Sequence, residues 1–430
     1  MLREERGMED YLVTGIFFFM GLLATAVVSS VIFKRLSFPY TIGLVVVGGL
    51  LGFLAFRWQP LALLQNIDLS PGVILYLILP TLIFDAAINI DTHLLRRDFF
   101  IIFLLAVIGL LASAAMIGYS LAYFTPLSLG AALLFGALIS ATDPVAVMAL
   151  FREVGAPPRL ATLMDGESLL NDATAIVLFV IILGTMGFDI GPDFNMANHP
   201  LFSFVFVLAG GVLVGLVVGW IGVLLVLLDR SNFISELTIS FVVAYISFLV
   251  ADHLFDVSGV MSTLTAGITL KALGGKHLDV ANLKMIKRFW NYFAFIANSM
   301  IFLLLGLTEE HVFYNMIHLH QHMFYLLFAI PAVLVARAIV VWSIVGIYNR
   351  FVAKENTVPG AYQAVLIWGG LRGAIPVALV LTIPAEMPFR PLLIDLTLGF
   401  VLFTLLVQGT TVKKMMKALG VTVREEVEEE

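Results

Sequence analysis

Asp143, Glu167, Asp172, Arg337 and Arg372 carry ionisable side chains in or beside long apolar runs of this 430-residue chain. Holding an ionised side chain at the middle of a bilayer costs at least about 2.5–3.5 kcal/mol, so such residues are rare and usually functional. Three acids in two neighbouring runs, with two arginines elsewhere, have the chemistry of a site for a small cation. Asp85, Glu236 and Asp395 lie nearer to run ends. Glu236 and Asp395 read as structural residues at membrane edges, and Asp85 as a funnel, interface or helix-capping acid.

The first motif is Thr142-Asp143-Pro144. Proline lacks an N–H and clashes with the preceding turn, and it pushes the residue before it toward an extended conformation. Carbonyls freed at membrane depth are tolerated only beside protein or a water-filled cavity. Those carbonyls, the Thr142 hydroxyl and the Asp143 carboxylate are hard oxygen donors suited to an alkali cation. The alternative is a plain kink capped by a carboxylate.

The second motif is Gly166-Glu167-Ser168-Leu169-Leu170-Asn171-Asp172, read as the opening of a helix. Residues four apart share a helix face. Ser168 and Asp172 can offer a hydroxyl and a carboxylate to a cation, while Glu167 and Asn171 can hold an arginine from another helix. Arg337, alone in the apolar stretch Val335-Ala336-Arg337-Ala338, is the expected partner. That pair reads equally as a structural tie and as part of transport.

The third motif is Trp368-Gly369-Gly370-Leu371-Arg372-Gly373-Ala374-Ile375-Pro376. Three glycines and a proline around an arginine predict a second interrupted helix.

The elements that must position these motifs follow from composition. Hydrophobic residues make up 60% of the chain and charged residues 13%. Soluble domains hold about 25% charged residues. A mean hydropathy of +1.03 agrees with a chain solvated mostly by lipid or by itself. A soluble enzyme, a disordered chain and a coiled coil are excluded. The net charge of −6 offers nothing to nucleic acid, and the absence of cysteine excludes disulfides and thiolate chemistry.

A bilayer-spanning helix needs about 20 apolar residues. Thirteen runs approach that length: 11–33, 40–56, 72–90, 99–124, 129–150, 167–187, 201–228, 233–251, 257–273, 290–307, 324–348, 360–382 and 392–412. The first is too long for a signal-peptide core and reads as a membrane helix. With the N-terminus outside, the inside segments hold eighteen Lys and Arg residues and the outside segments four. The positive-inside rule then puts the C-terminus in the cytoplasm.

The interrupted runs 129–150 and 360–382 are the fifth and the twelfth. Taking 1–187 as a first repeat, 188–232 as a linker with the seventh run, and 233–412 as a second repeat makes these two correspond with opposite orientation. Residues 413–430 form a short tail. Interrupted segments at matching positions of inverted repeats point to a transport site at the midplane.

Together the three motifs, at Ala141–Val145, Gly166–Asp172 and Gly369–Gly373, resemble those of the NhaP-type sodium/proton antiporters. These belong to the monovalent cation:proton antiporter family, which includes the eukaryotic Na⁺/H⁺ exchangers. The resemblance covers essentially the whole chain. It implies an all-α polytopic membrane protein of about 13 transmembrane helices, with inverted repeats, two crossing broken helices, a mobile core domain and a dimerisation domain. It implies a homodimer in a prokaryotic plasma membrane, lacking the long regulatory tail of the eukaryotic members. By position Asp172 matches the ion-binding aspartate, and Asp143, Thr142 and Ser168 match the remaining Na⁺ ligands. Glu167, Asn171 and Arg337 match the supporting group, and Arg372 the arginine of the second break. An Asn-Asp pair at 171–172, in place of Asp-Asp, looks like electroneutral one-for-one exchange.

The expectation is a transporter and not an enzyme. It exchanges Na⁺, and Li⁺ as a second substrate, for H⁺, and it needs no cofactor. K⁺/H⁺ exchange is the alternative, and a cation channel is a more distant one. His311, His318, His320 and His322 form a cluster that can bind a metal or sense pH, or can simply be a solvated loop.

Overall fold

A computed structural model describes residues 2–35, 40–57, 71–143, 148, 151, 155–188, 200–228, 232–275, 280–308, 316–352 and 356–421. Among the described residues the regular structure is helical throughout. In chain order the helices are α1 (Leu2–Arg35), α2 (Tyr40–Arg57), α3 (71–89), α4 (Thr92–Phe124), α5 (Leu129–Ser140), α6 (Pro158–Thr185) and α7 (Pro200–Leu228). They continue with α8 (Phe233–Leu254), α9 (259–274), α10 (Val280–Thr308), α11 (Met316–Phe351), α12 (Gly360–Trp368), α13 (Ala374–Leu381) and α14 (Arg390–Ala418). Every apolar run but the fifth and twelfth falls on one of these helices; the twelfth falls on the pair α12 and α13, and of the fifth residues 129–140 form α5 while 144–147, 149 and 150 lie outside the described residues.

Seven helices among the described residues are long and apolar enough to cross a membrane, and the shorter apolar helices include Gly43–Ala55, Ile74–Asn89 and Leu129–Ser140. Phe17, Leu201, Val217, Trp220 and Leu327 leave more than half of their surface exposed. Such outward apolar side chains suit a lipid solvent.

Several helices begin before the hydropathy does. Helix α6 starts at Pro158, so the 166–172 motif lies inside the helix rather than at its opening. Proline suits a first turn, where its missing N–H would have no helical partner. Helix α4 starts at Thr92, capped by Asp91, which accepts the His93 and Leu94 backbone N–H groups at 2.9 and 3.1 Å. Those two bonds, Leu94 first, hold the Asp91 carboxyl below the usual carboxylate range. Asp98 lies in these added turns, buried, and pairs with Arg159 of α6 at 2.9 Å. The Arg159 guanidinium also donates to the carbonyls of Asn356 and Thr357, at 2.7 and 3.0 Å.

The chain divides into two compact units. The first comprises Met1–Ser70 and Tyr292–His320. Within it α2 meets the later part of α10 backbone to backbone. A Cβ built on Gly48 would lie 2.2 Å from the Leu303 carbonyl oxygen, and one on Gly306 would lie 2.1 Å from that of Val45. The Tyr40 hydroxyl and Ser299 Oγ share a hydrogen bond of 2.8 Å beside this contact.

The second unit comprises Pro71–Asn291 and Gln321–Glu430 and holds all three motifs. Close backbone approach again sets the packing. A Cβ on Gly136 of α5 would lie 2.4 Å from the Ala114 carbonyl oxygen of α4. Gly211, Gly215 and Gly219 put one face of α7 against Ser258, Ser262 and Ala266. A core around Phe84, Val243, Ile286 and Trp290 joins α3, α8 and α10. The innermost pieces are α5, buried from Ala131 to Ser140 except Leu133, and α13, buried from Ala374 to Val380. Both are apolar all round, as a helix with no lipid or water face should be. Among the described residues four helices contain a π turn, at Ile74–Ile78, Leu104–Gly109, Leu270–Gly274 and Thr404–Gln408.

Candidate functional site

Helix α5 ends at Ser140, and residues 141–143 run on without helical structure. Pro144, the expected cause of the interruption, lies outside the described residues. Helix α12 ends at Trp368, and α13 begins at Ala374 after a non-helical stretch. The two breaks meet. The Asp143 N–H donates to the Leu371 carbonyl at 2.8 Å, a backbone bond between segments more than 200 residues apart. Gly373 makes the approach possible. A Cβ there would sit 1.7 Å from Asp143 Oδ2 and 2.4 Å from its Cβ.

Helix α6 holds the first break in place. Asn171 pairs with Thr142 twice: its Nδ2 donates to the Thr142 hydroxyl at 2.8 Å, and its Oδ1 accepts the Thr142 N–H at 3.3 Å. The Ser168 hydroxyl donates to the Thr142 carbonyl. The polar groups that the helix end releases are therefore satisfied by one side of α6, as buried polar groups must be. Each accepting oxygen keeps a second lone pair. Asn171 differs here from its sequence expectation. It turns to Thr142 rather than to an arginine, because the interrupted chain offers both a donor and an acceptor that one amide can satisfy.

Glu167 and Arg337 form a two-pronged ion pair. Both Arg337 terminal nitrogens reach the carboxylate, and Nη2 lies 2.8 Å from Oε2. Nη2 also donates to the Leu366 carbonyl at 3.0 Å, so one guanidinium ties α11 to α6 and α12. All three partners are buried. Arg372, 3% exposed, is anchored by its backbone N–H to Thr404 Oγ1 at 3.2 Å, in the π turn of α14. Its Nε and Nη1 make no hydrogen bond among the described residues. A Cβ on Gly370 would lie 3.4–3.5 Å from Arg337 Nε, Thr142 Cγ2 and Arg372 Nη1. Both guanidiniums and the first break thus come within ordinary contact distance of Gly370.

Asp172 lies one turn beyond Ser168 on α6 and is half-buried. Its charged neighbours are Asp143, Arg372 and Glu167. Its carboxylate takes no hydrogen bond from the described residues, unlike that of Glu167. A half-buried carboxylate beside a second acid, with hydroxyl and carbonyl oxygens one turn away, can hold a proton or a hard monovalent cation. All eight residues singled out from sequence thus converge on one region of the second unit.

The other candidates lie apart. Asp85 on α3 accepts Asn89 Nδ2 at 2.9 Å, and that amide also reaches Asn291 Oδ1 at 2.9 Å. Glu236 is buried at the start of α8 and accepts Asn282 Nδ2 at 2.8 Å. Asp395 lies on α14. His311 and the side chains of His318, His320 and His322 fall outside the described residues, and no group of metal-binding side chains occurs among the described ones. Sequence reading missed Asp165. It precedes Asp172 by seven residues, two helical turns, and so shares its face. That spacing was the available signal.

Comparison with known proteins agrees with this geometry. The family model described as "Sodium/hydrogen exchanger, transmembrane" matches residues 22–418. The chain is 37% identical over 383 residues to the Na⁺/H⁺ antiporter ApNhaP of Aphanothece halophytica, covering 89% of this chain and 70% of that protein. It is 32% identical over 402 residues to the Na⁺/H⁺ antiporter NhaH of Halobacillus aidingensis, covering 93% and 96%. The solved structure of the sodium proton antiporter MjNhaP1 from Methanocaldococcus jannaschii superposes with a TM-score of 0.78 at 21% identity, covering 95% of this chain and 99% of that one, so the fold is shared. Crossing breaks, a paired arginine and a match over nearly the whole chain lead to one conclusion: this protein belongs to the sodium/hydrogen exchanger family.

Proposed function

We propose that this chain is a secondary antiporter that exchanges Na⁺ for H⁺, and also accepts Li⁺, with both ions competing for Asp172. The observation that carries this reading is the Asp172 carboxylate. It lies near the crossing of two broken helices, beside Asp143, and no described side chain donates to it. Relatives named as Na⁺/H⁺ antiporters support the ion pair.

Asp172 accepts either a proton or a sodium ion. Sodium needs several oxygens, and in this reading Ser168, Thr142 and Asp143 contribute them beside Asp172. Glu167, Asn171, Arg337 and Arg372 hold the breaks and balance charge. The loaded site opens alternately to each side as one part of the bundle moves against the rest. If the empty, charged form stays behind, Na⁺ crosses one way only when H⁺ crosses the other. Asn171 in place of a second carboxylate supports one-for-one, electroneutral exchange. The proposed assembly is a homodimer in a prokaryotic plasma membrane, with its N-terminus outside and its C-terminus cytoplasmic; the distribution of Lys and Arg supports that orientation.

The test is transport in proteoliposomes with an internal pH dye. Na⁺ and Li⁺ pulses should move protons, and an imposed membrane potential should not change the rate. Asp172→Asn should abolish the response, and retained exchange would refute the assignment. A response to K⁺ equal to that for Na⁺ would replace the proposed ion.

A further inference from the structure

We propose that Lys271 sets the affinity for the transported cation, acting as a tethered ammonium that competes with it where the path to Asp172 opens. This rests on the reading of Asp172 as the exchange site. Lys271 lies in the π turn that ends α9, and it is half-buried. Its ammonium donates to the Ile90 carbonyl. At Ile90 the backbone leaves α3 in an extended conformation, so this carbonyl falls beyond the helix. Lysine therefore spans from one helix end to another and is held there.

The charged groups that act on Lys271 come from every side. They are Asp91 between α3 and α4, Asp165 of α6 and Lys287 of α10. Asp165 also faces Asp85 of α3. The Asp91 carboxylate is committed to capping α4. Asp85, which accepts Asn89 Nδ2, and Asp165 are the other acids of this cluster. Two turns of α6 separate Asp165 from Asp172, about 10 Å along one helix face, with Ser168 between them. An acid at each end and a hydroxyl between them form a track for a cation. A fixed positive charge at the outer end of that track lowers the local cation concentration and takes up part of the acids' field.

Removing the charge therefore has a definite sign. Unit charges separated by a distance on the order of that track interact weakly, enough for a change of about two- to fourfold. Lys271→Gln should lower the half-saturating Na⁺ concentration by that factor while kcat stays the same. The change should occur only for Na⁺ presented on the face where Lys271 opens, and it should shrink as inert salt screens the charge. Lys271→Arg should behave as wild type. Asp165→Asn should shift the half-saturating concentration the opposite way. A merely structural tie between α9 and α3 would move none of these in that pattern.

The measurement is dye-monitored exchange in proteoliposomes of known orientation, with Lys271→Met read in the same way if the Gln variant does not fold. An unchanged or raised half-saturating Na⁺ concentration, or an equal shift on both faces, overturns the proposal while leaving Asp172 in its role. If wild type moves no protons in response to Na⁺, the reading of Asp172 fails and this proposal falls with it.

Discussion

The two broken helices meet at one point but are built by different means. The first break, after Ser140, carries Thr142 and Asp143, and its exposed backbone groups are taken up by Ser168 and Asn171 of α6. The second break, from Gly369 to Gly373, makes its own room with glycines, carries a positive charge in Arg372 and, among the described residues, has one side-chain bond to its backbone, the Arg372 N–H donating to Thr404. One break supplies oxygens and depends on a neighbour. The other supplies space and counter-charge. Neither could serve alone. Oxygens without space would be shielded by side chains, and an arginine without acids would be an uncompensated buried charge.

The largest expected effect comes from cutting the tie between the two halves. Arg337 joins Glu167 beside the first break to Leu366 beside the second. Glu167→Gln leaves a buried guanidinium without its partner charge and should cost about 3–5 kcal/mol, read as a lower melting temperature in detergent. Replacing both residues by apolar ones should recover much of that loss. If the single variant melts like wild type, the tie is not what joins the breaks.

Next is the contrast between two glycines in the second break. Gly373→Ala puts a methyl group into Asp143 and should cost about 1–3 kcal/mol of strain, with transport falling roughly tenfold. Gly370→Ala meets only ordinary contacts at 3.4–3.5 Å and should keep most transport. Equal effects at the two positions would contradict the idea that the second break exists to admit the first. A smaller effect separates borrowed support from self-support. Asn171→Ala removes both bonds to Thr142 and should cost about 1–3 kcal/mol, whereas Thr404→Val removes one bond and should cost about 1 kcal/mol. Reversal of that order would invert the comparison.

The smallest effect lies outside both breaks. The carboxyl of Asp91 is held below its ordinary range in the folded state, so its contribution is present above the unfolded value, near 3.9, and is lost as pH falls through the folded one. Asp91→Asn keeps the cap without the charge. Its melting temperature should fall less steeply than that of wild type as the medium is taken below about pH 4.

Much of this site could be read from residue order because lipid makes polar residues conspicuous. Thr142-Asp143-Pro144 and Gly369–Gly373 each violate the rules for a spanning helix, and Arg337 had no acid in its own run. What escaped were relations that hydropathy does not encode. It marks where a chain leaves lipid, not where hydrogen bonding ends, so α6 was placed nine residues short at its start. Arg159 counts in the sequence only as an inside basic residue, yet it pairs with Asp98 within turns beyond the apolar runs. Asn171 was assigned to an arginine, since nothing in the order of residues reveals that Thr142 presents two complementary groups to it. Thr404 gave no signal, because its role depends on a π turn that brings it to Arg372.

The grouping of Asp143, Glu167 and Asp172 with Arg337 and Arg372 has a consequence for bioenergetics. Three carboxyl groups and two guanidiniums leave the cluster one formal negative charge when nothing is loaded. One proton or one alkali ion brings it to zero. A cluster that moves only when loaded carries no net charge across the bilayer. Under the proposed one-for-one exchange the membrane potential, about 2.3 kcal/mol per charge for each 100 mV, does no work on the cycle. Such a machine is driven by the two concentration gradients alone, and it stops when the sodium ratio equals the proton ratio, whatever the voltage.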